Sequence, residues 1–162
     1  MPLLISDANI FIDFEEGGLL EELFRLSVTI GVPDLLFEEE LREQHEHLLD
    51  LGLELLELQA EAVQRAADLA SRYRKPGRLD LTALALAEQE QCLLLTGDRD
   101  LKEAAENEGV EVRGTLWLCE CLVEEGIVTV DALASAYRQM KNSGRRLPWK
   151  ATEYQLKRLR RR

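Results

Sequence analysis

Four carboxylates of this chain stand where an α/β sheet would present them to a ligand. Asp7 follows the short apolar run Leu3 to Ser6, and Asp98 follows the apolar stretch Cys92 to Leu95 after the turn Thr96-Gly97. Asp80 opens the helical segment Asp80-Leu-Thr-Ala-Leu-Ala-Leu-Ala-Glu, and Glu39 lies in the first turns beyond Pro33, which closes the β-branched run Val28 to Val32. Alone, each acid has an ordinary explanation, since an aspartate at a helix start accepts backbone N–H bonds and opposes the helix dipole. Together they crowd the carboxyl ends of one sheet, where α/β folds bind ligands. Carboxylates so gathered repel unless cations sit among them, and hard oxygen ligands suit Mg2+ or Mn2+. Within the run Glu38-Glu39-Glu40, helical periodicity puts Glu40 nearer the face of Leu36, Phe37 and Leu41. Spacing from Pro33 favours Glu39, which is assigned here.

The elements that must position these acids alternate. Leu3–Ser6 and Val28–Val32 read as buried strands, with Leu19, Leu20, Leu23, Phe24 and Leu26 at helical spacing between them. A helix is expected from Pro33 to about Leu49, then a short strand at 53–56 after Gly52, and an Ala-rich helix over 59–74 that ends at Pro76-Gly77. The helix from Asp80, the strand 92–95, a helix 101–107, a strand 110–112 and helices 116–125 and 130–141 complete the pattern. Strands alternating with helices imply an α/β domain with a mainly parallel sheet.

Other chemistries find little support. The chain has neither a Gly-x-Ser-x-Gly elbow nor a Gly-x-x-x-x-Gly-Lys phosphate loop, which disfavours serine hydrolases and NTP hydrolysis. An aspartyl phosphatase built on Asp7 would want a second acid two residues on, and position 9 is asparagine. Cys92, Cys119 and Cys121 lack zinc-site spacing and read as buried filler in a reducing compartment; His45 and His47 read as part of a solvated helix face. No apolar run is long enough to span a bilayer, and a cytoplasmic protein is expected.

The net charge of −11 argues against a nucleic-acid partner, but the charge is unevenly spread. Residues 138–162 hold ten basic side chains and one acid, Glu153, which leaves ten basics and thirty acids in 1–137: a body at −20 and a tail at +9. Such asymmetry suggests an interaction tail. A division into a domain at 1–128 and a C-terminal helix with basic tail at 129–162 is expected.

Four stretches resemble the motifs of PIN domains, the nuclease fold that includes VapC-type toxins. Ile5-Ser6-Asp7-Ala8-Asn9-Ile10-Phe11-Ile12-Asp13 looks like the opening strand, and Pro33-Asp34-Leu35-Leu36-Phe37-Glu38-Glu39 the second motif. Leu79 to Ala87 is similar to the third, and Leu94-Leu95-Thr96-Gly97-Asp98-Arg99-Asp100-Leu101 to the fourth. They occur in the family's order over about residues 3–125, and Gly114-Thr115-Leu116-Trp117 resembles a later segment of some subgroups. The resemblance implies a three-layer α/β/α domain in which Asp7, Glu39, Asp80 and Asp98 hold Mg2+ or Mn2+ and RNA is hydrolysed to a 5′-phosphate product. It assigns Asn9 and Thr96 to steadying the acidic loops. It also implies RNA as substrate, an antitoxin protein as partner and a homodimer. The alternative is a catalytically inactive PIN-like RNA-binding or scaffold module whose acids persist as helix caps.

Overall fold

The computed structural model describes residues 1–162. In chain order its elements are β1 (Leu3–Ser6), α1 (Ala8–Glu16), α2 (Leu20–Leu23), β2 (Thr29–Pro33), α3 (Asp34–Leu36), a π-helical turn (Phe37–Leu41), α4 (Arg42–His45) and α5 (Leu48–Leu51). There follow β3 (Glu54–Leu56), α6 (Ala60–Arg72), α7 (Arg78–Glu90), β4 (Leu94–Leu95), α8 (Arg99–Asn107), β5 (Val112–Arg113), α9 (Thr115–Glu124), α10 (Val130–Asn142) and α11 (Trp149–Arg160).

The five strands form one sheet in the order β3-β2-β1-β4-β5, and every pairing is parallel. Helices cover both faces of such a sheet, so the central strands are short continuous apolar runs rather than alternating ones. Ile5 is the central pivot: it pairs with Gly31 on one side and Leu94 on the other. Chain order reverses between β1 and β4, and at such a switch point the connections leave a crevice beyond the strand ends.

Several expected elements are placed differently. The opening strand spans Leu3–Ser6 as expected, while the remainder of the motif stretch Ile5–Asp13 is helical: Ile10, Phe11 and Phe14 recur at helical spacing as the buried face of α1. Residues 17–26 yield only the one-turn α2, because Gly18 takes a left-handed φ of 73° and ends the preceding helix. The long helix expected from Pro33 to Leu49 is split by the π-helical turn, and Gly52, at φ 118°, closes α5.

One core unites the sheet with both terminal helices. Leu133, Ala136, Tyr137 and Met140 of α10 and Leu159 of α11 belong to the same buried cluster as Ile5, Phe11 and Leu94. Gly17 permits this closeness: a Cβ there would lie 2.6 Å from Met140 Cε. α11, in the segment expected as a C-terminal helix with basic tail, lies against α9 and α10. The Arg158 guanidinium pairs with Glu120, Arg162 reaches Glu124 at 3.1 Å and Arg160 reaches Asp131 at 3.8 Å. Cys119 is fully buried as filler, its thiol pushed up to about 12 by burial. His45 departs from its expected solvated face: its side chain is only 12% exposed, with Nε2 2.8 Å from Glu15 and Nδ1 buried without a partner.

Candidate functional site

Asp7 is completely buried at the exit of β1. Its backbone N–H donates to Leu95 O, which stitches the exits of β1 and β4 together. Oδ1 accepts from Ile10 N at 3.3 Å as the N-cap of α1, and Oδ2 accepts from the Thr96 hydroxyl. That hydroxyl also accepts from Asp98 N at 3.0 Å, so one side chain in the β4–α8 turn holds the first and last acids of the set. Asp98 in turn caps α8, its Oδ1 accepting from Asp100 N at 2.8 Å and Leu101 N at 3.2 Å. At Asp98 the capping and ligand-facing readings are compatible, because the cap occupies one carboxylate oxygen; at Asp7 both oxygens accept, Oδ1 from the cap and Oδ2 from Thr96.

No Lys or Arg side chain forms an ion pair with these acids. Burial pushes Asp7 up to about 7; the Thr96 hydroxyl opposes the shift, the charge of Asp80 adds to it, the Ile10 amide opposes and Asp98 adds again. Asp80, half-buried in the first turn of α7, is pushed up to about 6 by burial first, then by the charges of Glu40 and Asp98, with Gly77 opposing. Burial likewise raises Glu40. Asp7, Asp80, Asp98 and Glu40 thus form one mutually repelling set at the switch point of the sheet.

Of the three adjacent glutamates it is Glu40, not Glu39, whose charge reaches Asp80. The π-helical turn accounts for the difference. Its Arg42 N–H bonds to Phe37 O across five residues instead of four, so an extra residue enters the turn and a count from Pro33 falls one short.

No three Asp, Glu, His or Cys side chains converge tightly enough to ligate one ion between them. Mg2+ keeps several of its waters and is ordinarily held by one or two carboxylates, a demand that this donor set fits. The buried, unneutralised Asp7 is the observation that favours a cation here.

Asn9 does not brace the first acidic loop; it is exposed, and its Oδ1 accepts from Arg145 at 3.4 Å. Arg145 is a residue the sequence reading did not place. From the α10–α11 loop its Nε donates to Asp13 Oδ1 at 2.7 Å, while Thr115 of α9 donates to Asp13 Oδ2 at 2.8 Å. Asp13 is 7% exposed and is the satisfied counterpart of Asp7 on the same helix. Its position amid Ile10, Phe11, Ile12 and Phe14 was a sequence signal, because a carboxylate on an apolar helix face requires a buried partner. Asp100 is half-buried beside Asp98, and Arg78 is exposed with no ion pair.

A family model described as a PIN domain matches residues 3–161, reaching through α10 and α11 as well as the four acid-bearing stretches. No curated protein matches the chain. Among solved structures, a PilT N-terminus domain protein from the hyperthermophilic archaeon Sulfolobus solfataricus P2 superposes with a TM-score of 0.50 at 15% identity, covering 76% of this chain and 95% of that one. VapBC2 from Rickettsia felis, solved bound to a DNA fragment from their promoter, gives a TM-score of 0.49 at 17% identity, covering 69% of this chain and 98% of that one. No helix is long and apolar enough to cross a membrane.

Proposed function

The chain belongs to the PIN domain family, and from that premise we propose that it is a Mg2+- or Mn2+-dependent endoribonuclease. The observation that carries the reading is Asp7: a fully buried carboxylate at the sheet's switch point, raised to about 7, with two further acids repelling it and no Lys or Arg beside it. A fold that keeps such a group unpaired stores repulsion that an external cation would relieve.

Asp7, Asp80 and Asp98 would hold the metal partly through its own waters, since no three of them converge on one point, with Glu40 in the place assigned to Glu39. The bound ion would polarise the phosphodiester and lower the pKa of the attacking water, so no nucleophilic side chain is required. The chain's own residues prepare that site. Thr96 fixes Asp7 and Asp98 relative to each other, and the caps on α1 and α8 orient one oxygen of each carboxylate, which leaves Asp98 Oδ2 without a protein partner. Asp7 is fully buried where the paired inner strands β1 and β4 end. An antitoxin protein that covers this end of the sheet belongs to the same proposal, on the resemblance of the four motifs to VapC-type toxins.

The test is incubation of the purified protein with a labelled single-stranded RNA in Mg2+, in Mn2+ and in a chelator. Metal-dependent products bearing a 5′-phosphate, lost in Asp7→Asn, are expected. Binding without cleavage in any metal would favour the inactive RNA-binding module instead.

A further inference from the structure

Beside the acids lies a trough that the proposed hydrolysis does not use. One part, about 250 Å3, is lined by Thr96, Gly97, Lys102, Arg113, Trp117 and Arg146 among others. The other, about 560 Å3, has no hydrophobic lining and includes Asn9, Asp98, Arg99, Arg145 and Arg146. The parts share Asp13, Gly97 and Arg146, so the trough runs from Asp98 to Trp117.

Its charge is opposite to that of the surrounding body. Residues 1–137 carry a net −20, yet Arg99, Lys102, Arg113 and Arg146 gather on this one rim. None of the four is held by an acid from a distant part of the chain. Arg99 and Arg146 make no ion pair, Lys102 meets only Glu106 at 3.9 Å on its own helix, and Arg113 meets Glu111 two residues away. Arg145, next to Arg146, is committed to Asp13 and so anchors the loop that offers its neighbour to the trough. Trp117 is half-exposed here and donates no hydrogen bond to the protein. Free guanidinium groups bind phosphate, and an aromatic face at the end of a cationic groove stacks an unpaired base.

We propose that this trough seats the nucleotide flanking the scissile phosphate of a single-stranded RNA, its base against Trp117 and its phosphate against Arg146 and Lys102. The assignment of single-stranded RNA as the occupant rests on the ribonuclease reading. A duplex would keep its bases stacked and unavailable to the indole.

The test is fluorescence anisotropy of 5′-fluorescein-labelled single-stranded decauridylate and decaadenylate RNA on the full-length Asp7→Asn protein, which keeps the RNA uncut. Trp117→Ala and Arg146→Ala should each weaken binding about 10-fold, while Trp117→Phe, which keeps a stacking face, should stay within about 3-fold. Arg146→Ala should also flatten the salt dependence by about 0.7, and Trp117→Ala should leave it unchanged. Arg25→Ala, an exposed arginine outside the trough, should bind like the parent. Trp117 packs partly on the core, so circular dichroism should accompany its variants; Arg146 is exposed and carries the test independently. Trough variants that bind like the parent overturn the inference, as does a parent that binds neither RNA. Trough-dependent binding without cleavage by the wild type would sink the hydrolase reading and leave the trough. Cleavage with a KM indifferent to Trp117 and Arg146 would do the reverse.

Discussion

Asp7 and Glu108 are both carboxylates withdrawn from water, and the fold treats them in opposite ways. Glu108 is surrounded by donors: the Tyr73 hydroxyl, Arg65 at 2.6 Å and Arg72 at 2.8 Å. Those hydrogen bonds, that of Tyr73 foremost, hold it down at about 2. Asp7 has one hydroxyl and one amide against burial and two acids, and rises to about 7. The Glu108 cluster closes on itself and ties α6 to α8. The Asp7 cluster is left open, and this chain is fully able to close such a cluster, as Asp13 with Arg145 and Thr115 also demonstrates. A site left uncompensated beside compensated ones is where an outside charge is wanted.

The largest effect should come from filling that gap chemically. Asp7→Asn should lower metal-dependent RNA cleavage by at least about 10²- to 10³-fold, as loss of a principal charge-stabilising group does. The same change should stabilise the metal-free protein at alkaline pH. A carboxylate whose folded pKa lies above its unfolded value keeps more protons bound in the native state between the two, so stability falls as pH rises from about 4 to about 7. The full shift corresponds to an upper limit of about 4 kcal/mol, reduced by about 1 kcal/mol for the lost Thr96 hydrogen bond. Urea denaturation at pH 5 and pH 8 in a chelator measures it: the wild type should weaken between the two and the variant should weaken less. A parallel fall in both would remove Asp7 as the source.

Glu40→Gln and Glu39→Gln sharpen the same comparison on adjacent residues. Glu40→Gln should cut kcat about 10²-fold, whereas Glu39→Gln should stay close to wild type. The reverse order in single-turnover cleavage would return the fourth acid to the position that spacing favoured.

This pair also marks where the sequence ceased to be informative. The parallel sheet was legible because buried strands are short apolar runs, and those runs put Asp7, Asp80 and Asp98 at strand exits and helix starts, where the structure has them. Between Glu39 and Glu40 the two sequence signals disagreed, periodicity pointing to Glu40 and the count from Pro33 to Glu39, and the π-helical turn that breaks that count carries no local signature in Phe37-Glu-Glu-Glu-Leu41. The role of α11 was hidden for another reason. Its charges suggested a solvated tail, while Thr152, Gln155 and Leu159, the residues that bury it, are too few and too mixed to advertise an amphipathic face. Arg145 lay in the same segment, and its pairing with Asp13 spans 132 positions, a distance that no local pattern encodes.

Glu108→Gln should act on stability alone. It removes the charge that holds Arg65, Arg72 and Tyr73, and should cost about 2 kcal/mol with cleavage unchanged in kcat. Because the folded pKa of Glu108 is depressed, its contribution is present above the unfolded value near 4.5 and is lost as pH falls toward about 2, the opposite sign to Asp7. Acid unfolding should therefore begin at higher pH in wild type than a protein without this linkage would require, and Glu108→Gln should flatten the acid limb. An unaltered acid limb would mean that the cluster persists in the unfolded chain.

The smallest effect concerns the basic tail, whose charge of +9 suggested an interaction surface. In the structure four of its ten basic side chains are paired within the chain: Arg158, Arg160 and Arg162 face Glu120, Asp131 and Glu124, and Arg145 faces Asp13. On α11 and its C-terminal end Lys150, Lys157 and Arg161 remain exposed without an ion pair. Deleting residues 150–162 would uncover Thr152, Gln155 and Leu159 and confound binding with folding, so the informative variant is Lys150→Gln, Lys157→Gln and Arg161→Gln together. Each phosphate contact on a single strand contributes about 0.7 to the slope of log affinity against log salt, so three such contacts would remove about 2 units. If the trough and not the tail holds the RNA, the triple variant should lose less than about 0.7, the worth of one contact. A loss approaching 2 units, with the fold intact by circular dichroism, would make the tail a principal RNA contact and demote the trough to a local one.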